Sequence, residues 1–442
     1  MSRRLLLAAP GLLALAHPAA SAPLTWSPPV LNDPVTVIVS NTNRSLKLQA
    51  GVDYLIVMPQ KISVSNGLTV NGQGARNIVF IGGEIDVPNA GTYVNSGDFG
   101  NKRRALMLQN WTGTCHAEGL WLHGADLAEG IDVDARVEGA VLQLANIRVD
   151  DVHSRPEEIA VNWSGTHHPD IVQNWGGPST YRIDGLTGYS DYQGLFMQPD
   201  AYGFLTVLAD FRNVDLHATN ASAGGAYMLY KAGTVNAFNL PSVYVEPRAA
   251  QAWRGGAYPE GLAAWTALSL GSPAGGNFVA SGTAGMTYVT PGYANGVKLT
   301  LVHQSESLVV GGSSGDPHSI IANYIFTNGN GTYYEANQVG DYVTYKLPYL
   351  QARSYNIRVG SKAGSNTAIF QAAIADTIGG TYVNCGSPND PYGTSPAALE
   401  FDLGTVTPAT AGSKMLRFQA TGRNVNSNNY KMNFDYIKLI PQ

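Results

Sequence analysis

Gly130-Ile-Asp-Val-Asp134, Ala140-Val-Leu-Gln-Leu-Ala-Asn-Ile-Arg-Val149, Asp170-Ile-Val-Gln173, Tyr181-Arg-Ile-Asp-Gly-Leu-Thr187 and Gln193-Gly-Leu-Phe-Met-Gln198 follow one another with turn residues between them. Each is a short run of β-branched and apolar residues closed by Gly, Asn or Asp, and there is little identity between copies. Two kinds alternate, one like Asn-Ile-Arg-Val-Asp and one like Asp-Ile-Val-Gln, and each pair predicts one coil. Upstream the pattern reaches Asn77-Ile-Val-Phe-Ile-Gly-Gly-Glu-Ile-Asp86. Downstream it continues through Phe211-Arg-Asn-Val-Asp-Leu216 and Ala226-Tyr-Met-Leu-Tyr230. In a stack of parallel coils each coil buries its inward side chains only against the coils above and below. Apolar residues must then recur at equivalent positions while outward positions vary. The outward positions of one strand type line up into a long flat face suited to an extended polymer.

From about Asn32 to Pro247 this pattern resembles the right-handed parallel β-helix proteins, a group that includes pectinases, alginate and chondroitin lyases, glycan epimerases and phage tailspikes. The resemblance implies a carbohydrate-active solenoid. From His318 the period changes to in-and-out alternation, as in Gly340-Asp-Tyr-Val-Thr-Tyr-Lys-Leu-Pro348, Ser354-Tyr-Asn-Ile-Arg-Val-Gly360, Lys414-Met-Leu-Arg-Phe-Gln-Ala420 and Tyr430-Lys-Met-Asn-Phe-Asp-Tyr-Ile-Lys-Leu-Ile440. That alternation predicts an antiparallel sandwich. Tyr334-Glu-Ala-Asn337 at its start and Phe-Asp-Tyr-Ile-Lys-Leu at its end resemble the jelly-roll carbohydrate-binding modules of the galactose-binding-like superfold. That resemblance implies a structural calcium held by Glu335 and Asp435, oxygen ligands from adjacent termini.

The predicted fold class is therefore all-β, a parallel β-helix over residues 23–317 followed by a jelly-roll sandwich over 318–442. Arg248 to Pro317 reads as the last coils plus a connector, with Val310-Gly-Gly-Ser-Ser-Gly-Asp-Pro317 as the boundary loop. The composition agrees: 50 Gly, 23 Tyr and only 13% charged residues favour strands and turns. Residues 1–22 have the order of a secretory signal peptide, Met-Ser-Arg-Arg, an apolar run from Leu5 to Ala16, then Ala20-Ser-Ala22. The expected location is secreted, extracellular or periplasmic, without a membrane span. Cys115 and Cys385 are expected to be unpaired and buried, because they fall in different predicted domains.

A net charge of −5 supplies no basic field for nucleic acid and suits a neutral or mildly acidic glycan. No CxxC or HExxH spacing occurs, so the expected chemistry needs no cofactor. The expected partner is a polysaccharide substrate, with the protein acting as a monomer.

The densest polar cluster is Trp163-Ser-Gly-Thr-His-His-Pro-Asp-Ile-Val-Gln-Asn-Trp-Gly-Gly177. Trp faces stack on sugar rings, and Asp with His exchanges protons near neutral pH. Candidate catalytic residues are Asp170 and His168, with Asp132 and Asp134 one coil earlier and Asp200 one coil later. Candidate substrate-binding residues are Trp163, His167, Gln173, Trp175, Gln193, Gln198, Tyr230 and Lys231. Coils stack about 4.8 Å apart, so carboxylates on neighbouring or next-neighbouring coils fall in the range of roughly 5–10 Å that glycoside hydrolysis uses. By contrast, Asp150, Asp151, Asp184 and Asp215 read as turn residues bonded to their own backbone.

Three functions compete. A glycoside hydrolase would use Asp170 with Asp132, Asp134 or Asp200 as acid and base. A polysaccharide lyase or uronate epimerase would need a base and a cation beside a uronate, with His168, Tyr230, Lys231 or Arg155 available. A non-enzymatic solenoid would only bind glycan. Acidic and neutral polar groups outnumber cations in the groove, which favours the hydrolase. The phase of the strand at 167–173 stays open, because Asp170 and Gln173 are three apart and share a face only if the strand bends or bulges.

Overall fold

The computed structural model describes residues 22–94, 97–160, 168–219, 227–248 and 256–442. Of the expected signal peptide, residues 1–22, all but the last lie outside them. Among the described residues the chain is almost wholly β, and no helix is long and apolar enough to cross a membrane.

From Val35 to Leu270 the chain alternates between two parallel sheets. The eight-stranded sheet takes, in spatial order, Ser45–Lys47, Leu68–Ala75, Arg104–Trp111, Glu129–Asp134, Asp170–Gly176, Gln193–Met197, Leu229–Lys231 and Ala257–Tyr258. The eleven-stranded sheet takes the strands between them, including Ile78–Asp86, Thr114–His123, Val141–Val152, Thr180–Ser190 and Thr206–Ala218. Every pairing within these sheets is parallel and joins successive coils, as in Ile131 beside Leu106 and Val172. Their inner faces share one hydrophobic core running from Val39 to Leu268, in which Ile131, Val133, Leu142, Ile183, Leu195 and Phe211 are fully buried. Each such side chain contributes about 1.5–3 kcal/mol. The coil period read from the sequence is thus a period of core contacts.

Residues 271–300 are a strap. They leave the last coil and run back over the outer face of the eleven-stranded sheet, in the order opposite to the coils. Asn277 donates to the Tyr189 hydroxyl (2.6 Å), the Val279 amide donates to Thr187 Oγ1 (2.9 Å), and Gly285 donates to the Gly119 carbonyl (2.9 Å). Gly292 finally accepts from Leu24 (2.9 Å). At Gly119, φ is +69° and the Tyr288 ring lies where a side chain would be, 2.1 Å from an added Cβ. Only glycine permits that approach.

The strap delivers the chain to the first coils, where the antiparallel region begins. Leu301–Gln304 pairs with both Leu31–Asn32 and Tyr436–Pro441. Val309–Ser313, which takes in the first four residues of the expected boundary loop Val310–Pro317, is a strand bonded to Tyr342–Leu350. Its Gly311-Gly312 pair sits at a bulge in that ladder, so the glycines accommodate a kink and not a linker. A second core gathers Tyr345, Phe370, Phe418, Phe434 and Leu439 and also takes Leu31 and Val79 from the first coils. Cys115 and Cys385 are free and buried, one in each core. Burial pushes the Cys385 thiol up to about 11.

Candidate active site

The outer face of the eight-stranded sheet carries two columns of aligned residues. One runs Arg104, Glu129, Asp170, Gln193. The other runs Met107, Asp132, Gln173, Phe196, Tyr230, Tyr258. Both columns face outward, although they lie three positions apart along each strand, because the two consecutive residues between them turn inward. Ile171 and Val172 both enter the core, as do Ala105 and Leu106. This bend answers the question of phase and puts Asp170 and Gln173 on one face. Gly130 holds the equivalent place beside Ile171, where an added Cβ would lie 2.4 Å from the Ile171 carbonyl oxygen.

Three carboxyl groups meet here. Asp132 and Asp170 are fully buried and Glu129 is nearly so. Asp132 forms an ion pair with Arg104, whose guanidinium also lies 5.7 Å from the Trp175 ring. Neither oxygen of Asp170 has a hydrogen-bond partner among the described residues, nor has Glu129 Oε2 or Gln193 Oε1. Burial first, then repulsion from Asp132 and Asp170, pushes Glu129 well above the ordinary carboxylate range. Asp170 is pushed well up by burial and then by Asp132. Burial also raises Asp132, with the Arg104 charge acting against it. The cluster thus favours one Arg-paired carboxylate beside neutral carboxyls that still hold protons.

His168 borders the cluster on the chain side and stacks on Tyr192 (5.6 Å, 17° between planes). Burial lowers its pKa, so it favours the neutral imidazole. Tyr192 is raised by burial and then by Asp170. Gln173 stands next to Asp132 in the second column, and Gln193 next to Asp170 in the first.

The other candidates lie apart from this cluster. Asp134 accepts from Arg136 Nε (2.7 Å), and that guanidinium lies on the Tyr202 ring at 3.5 Å. Asp200 accepts from the amide (2.9 Å) and hydroxyl (2.6 Å) of Thr234, closing a turn of the next coil. Lys231 donates to the Gly233 carbonyl (3.0 Å). Gln198 is half-buried just after the strand Gln193–Met197, its amide bonded to the Asn174 carbonyl. Tyr230 is in the second column, two coils beyond Gln173. Arg155 pairs with Asp126 on a different edge. Trp163 and His167 lie outside the described residues.

Glu129 and Arg104 were not among the sequence candidates. Their signal is alignment: Arg104-Ala-Leu-Met107 and Glu129-Gly-Ile-Asp132 repeat the spacing of Asp170-Ile-Val-Gln173 and Gln193-Gly-Leu-Phe196, so the residue three places before each second-column residue belongs to the first column.

On the eleven-stranded sheet the sequence reading of the aspartates needs correcting. Asp150 accepts from Trp121 Nε1 and Arg148 (both 2.8 Å), and Asp184 accepts from the Thr25 amide and Asn213 (2.8 Å). Asp215 accepts from Thr187 Oγ1 (2.7 Å) and the Phe278 amide (3.2 Å) and faces His217 Nε2 (2.8 Å). These groups bond neighbouring coils, the strap or the N-terminal segment instead of their own turns, because the sheet stacks them under passing chain. Glu118 is fully buried as well; it accepts from Tyr288 (2.8 Å) and Tyr293 (2.7 Å) and faces His116 Nε2 (2.9 Å). Burial alone would raise its pKa, but these hydrogen bonds and the His116 charge bring it below the ordinary value.

Glu335 and Asp435 do not converge on a cation. The antiparallel register sets Tyr334 opposite Met432 and Thr332 opposite Phe434, so the two acids sit four positions apart along the ladder, about 13 Å. Glu335 pairs with Lys431 (2.9 Å), and Asp435 accepts from Thr327 at its amide (3.0 Å) and hydroxyl (2.8 Å). An ammonium in contact with one acid and a turn capped by the other do not fit a shared calcium site.

No protein-family model matches the chain, and no curated protein matches it. Among solved structures it is similar to a xanthan lyase of Paenibacillus, with 27% identity over 32% of this chain and 13% of that one, and a TM-score of 0.29. It is also similar to the GH26-CBM35 β-(1,4)-mannanase of Podospora anserina, with 13% identity over 32% of this chain and 28% of that one, at a TM-score of 0.24. A family 35 carbohydrate-binding module of Clostridium thermocellum matches with 19% identity over 31% of this chain and 97% of the module, at a TM-score of 0.23. Each likeness thus covers about a third of the chain, and the chain spans only a small part of either enzyme's length.

Proposed function

We propose that the protein is a secreted polysaccharide-degrading enzyme, a glycoside hydrolase built on a right-handed parallel β-helix, with the antiparallel region as its carbohydrate-binding module. The observation that carries this reading is the buried group Glu129, Asp132 and Asp170, three carboxyls of which Asp132 alone is ion-paired with Arg104. Glycoside hydrolysis needs one carboxyl that still holds its proton and one that does not. Asp170, raised by burial and by Asp132, is the acid. It gives its proton to the glycosidic oxygen as the bond to the anomeric carbon breaks. Asp132, held as carboxylate by Arg104, takes a proton from the water that attacks that carbon. Glu129 keeps the local charge low by staying protonated, and Gln173 and Gln193 offer amides to sugar hydroxyls.

Full burial of Asp170 favours a second reading, a solenoid that binds glycan without turning it over. The deciding experiment is product release by the purified protein and by Asp170→Asn from a panel of neutral and uronic-acid polysaccharides. New reducing ends that vanish in a folded Asp170→Asn support hydrolysis. Unsaturated products absorbing in the ultraviolet would make the protein a lyase, with Arg104 neutralising the uronate. Binding with no product from any polymer would leave the recognition solenoid.

A further inference from the structure

Beyond the carboxylates the second column changes character. Phe196, Tyr230 and Tyr258 stand beside one another on successive strands, and Tyr227 packs among them. Ring centroids are 5.2 Å apart for Phe196 and Tyr230 and 4.9 Å for Tyr230 and Tyr258, each pair edge to face. These rings are not core, since the inward places of the same strands are filled by Leu195, Leu229 and Ala257. Tyr258 is 39% exposed, and Phe196, Tyr227 and Tyr230 are half-buried. No hydrogen bond to another described residue occupies the three tyrosine hydroxyls. On the other side of Asp132 the column runs to Met107 and Thr69, with no ring.

We infer that Phe196, Tyr227, Tyr230 and Tyr258 form a one-sided stacking platform that holds a polymer of pyranose units across the strands, with its long arm toward the C-terminal coils. This rests on the glycan-active reading above and adds to it the class and direction of the ligand. Four strand spacings separate Asp132 from Tyr258, about 19 Å, and each spacing is close to one sugar unit in an extended chain. Rings with an exposed C–H face gain from stacking on Tyr and Phe, and the hydroxyls at the platform edge meet sugar hydroxyls. Lys231, the cation beside the platform, is tied to the Gly233 carbonyl, which suits neutral units there.

The test uses the full chain and oligosaccharides of increasing length from the polymer it binds or cleaves best. For the wild type, calorimetric affinity rises with length, and kcat/KM rises with it where the polymer is cleaved. In Tyr258→Ala and Tyr230→Ala the ratio of long-chain to short-chain affinity falls about tenfold, the equivalent of roughly 1.4 kcal/mol. Tyr258→Phe, which loses only the hydroxyl contact, keeps most of the ratio and Tyr258→Leu loses it, which covers the case in which an alanine variant fails to fold. A ratio preserved in Tyr258→Leu and both alanine variants overturns the platform while leaving the glycan-active reading intact. A wild type that binds no polysaccharide overturns both.

Discussion

The two outer faces of the parallel stack are made of the same residue types and behave oppositely. On the eleven-stranded face Glu118 and Asp215 are buried beneath the strap, and each is met by donors: Tyr288, Tyr293 and His116 for one, Thr187, Phe278 and His217 for the other. On the eight-stranded face Asp170 is as deeply buried and Glu129 nearly so, yet both oxygens of Asp170 and one of Glu129 lack partners among the described residues, and the Asp132 charge repels both. A satisfied buried carboxylate holds a structure together. An unsatisfied one costs stability, and it persists where chemistry uses it. The strap supplies the Tyr288, Tyr293 and Phe278 donors on the one face, while Asp132 and Asp170 on the other are fully buried with like charge beside each other.

The sharpest way to break this comparison is activity. Asp170→Asn should lower product release by about 10²–10⁴-fold, the range for a lost general acid, as read by reducing-end formation. The next effect belongs to the covered face. Glu118→Gln should destabilise the fold by about 3 kcal/mol by disrupting a buried, fully bonded group, visible in denaturant unfolding. Because its folded pKa is depressed, Glu118 contributes stability above the ordinary carboxylate range and loses it as pH falls through the lower folded value. Asp170 and Glu129 have the opposite sign. Their folded pKa values are raised, so the unfolded chain gives up these protons first and stability declines as pH rises toward the raised values. Asp170→Asn should therefore raise Tm by about 2–4 °C at mildly alkaline pH and by less in acid, as scanning calorimetry would record. Smallest is Tyr288→Phe, which removes hydrogen bonds to Glu118 and Asn146 and should cost about 1 kcal/mol in the same unfolding assay.

The coils were legible because core packing imposes a period on the sequence: Ile131, Ile183 and Leu195 must recur where neighbouring coils touch. Asp132, Asp170 and Gln173 could be picked out for the same reason, since they lie on those strands. Glu129 escaped because it precedes the apolar run, and its place depends on the inward pair formed by Gly130 and Ile131, which only register between coils makes visible. The strap escaped because residues 271–300 have no period of their own and take their path from partners far away in sequence, Asn146 and Glu118 among them. Asp134 and Asp200 lie beside the cluster in sequence and apart from it in space, drawn off by Arg136 and Thr234. The strand within the expected boundary loop escaped on a general point: glycines at 311 and 312 mark a bulge as readily as a linker.

The most direct measurement sets Asp170→Asn and Glu118→Gln side by side in thermal unfolding at neutral to mildly alkaline pH. The shifts should be opposite, Asp170→Asn melting above the wild type and Glu118→Gln below it. Two downward shifts of similar size would contradict this, because the carboxyls of the eight-stranded face would then be structural like those beneath the strap.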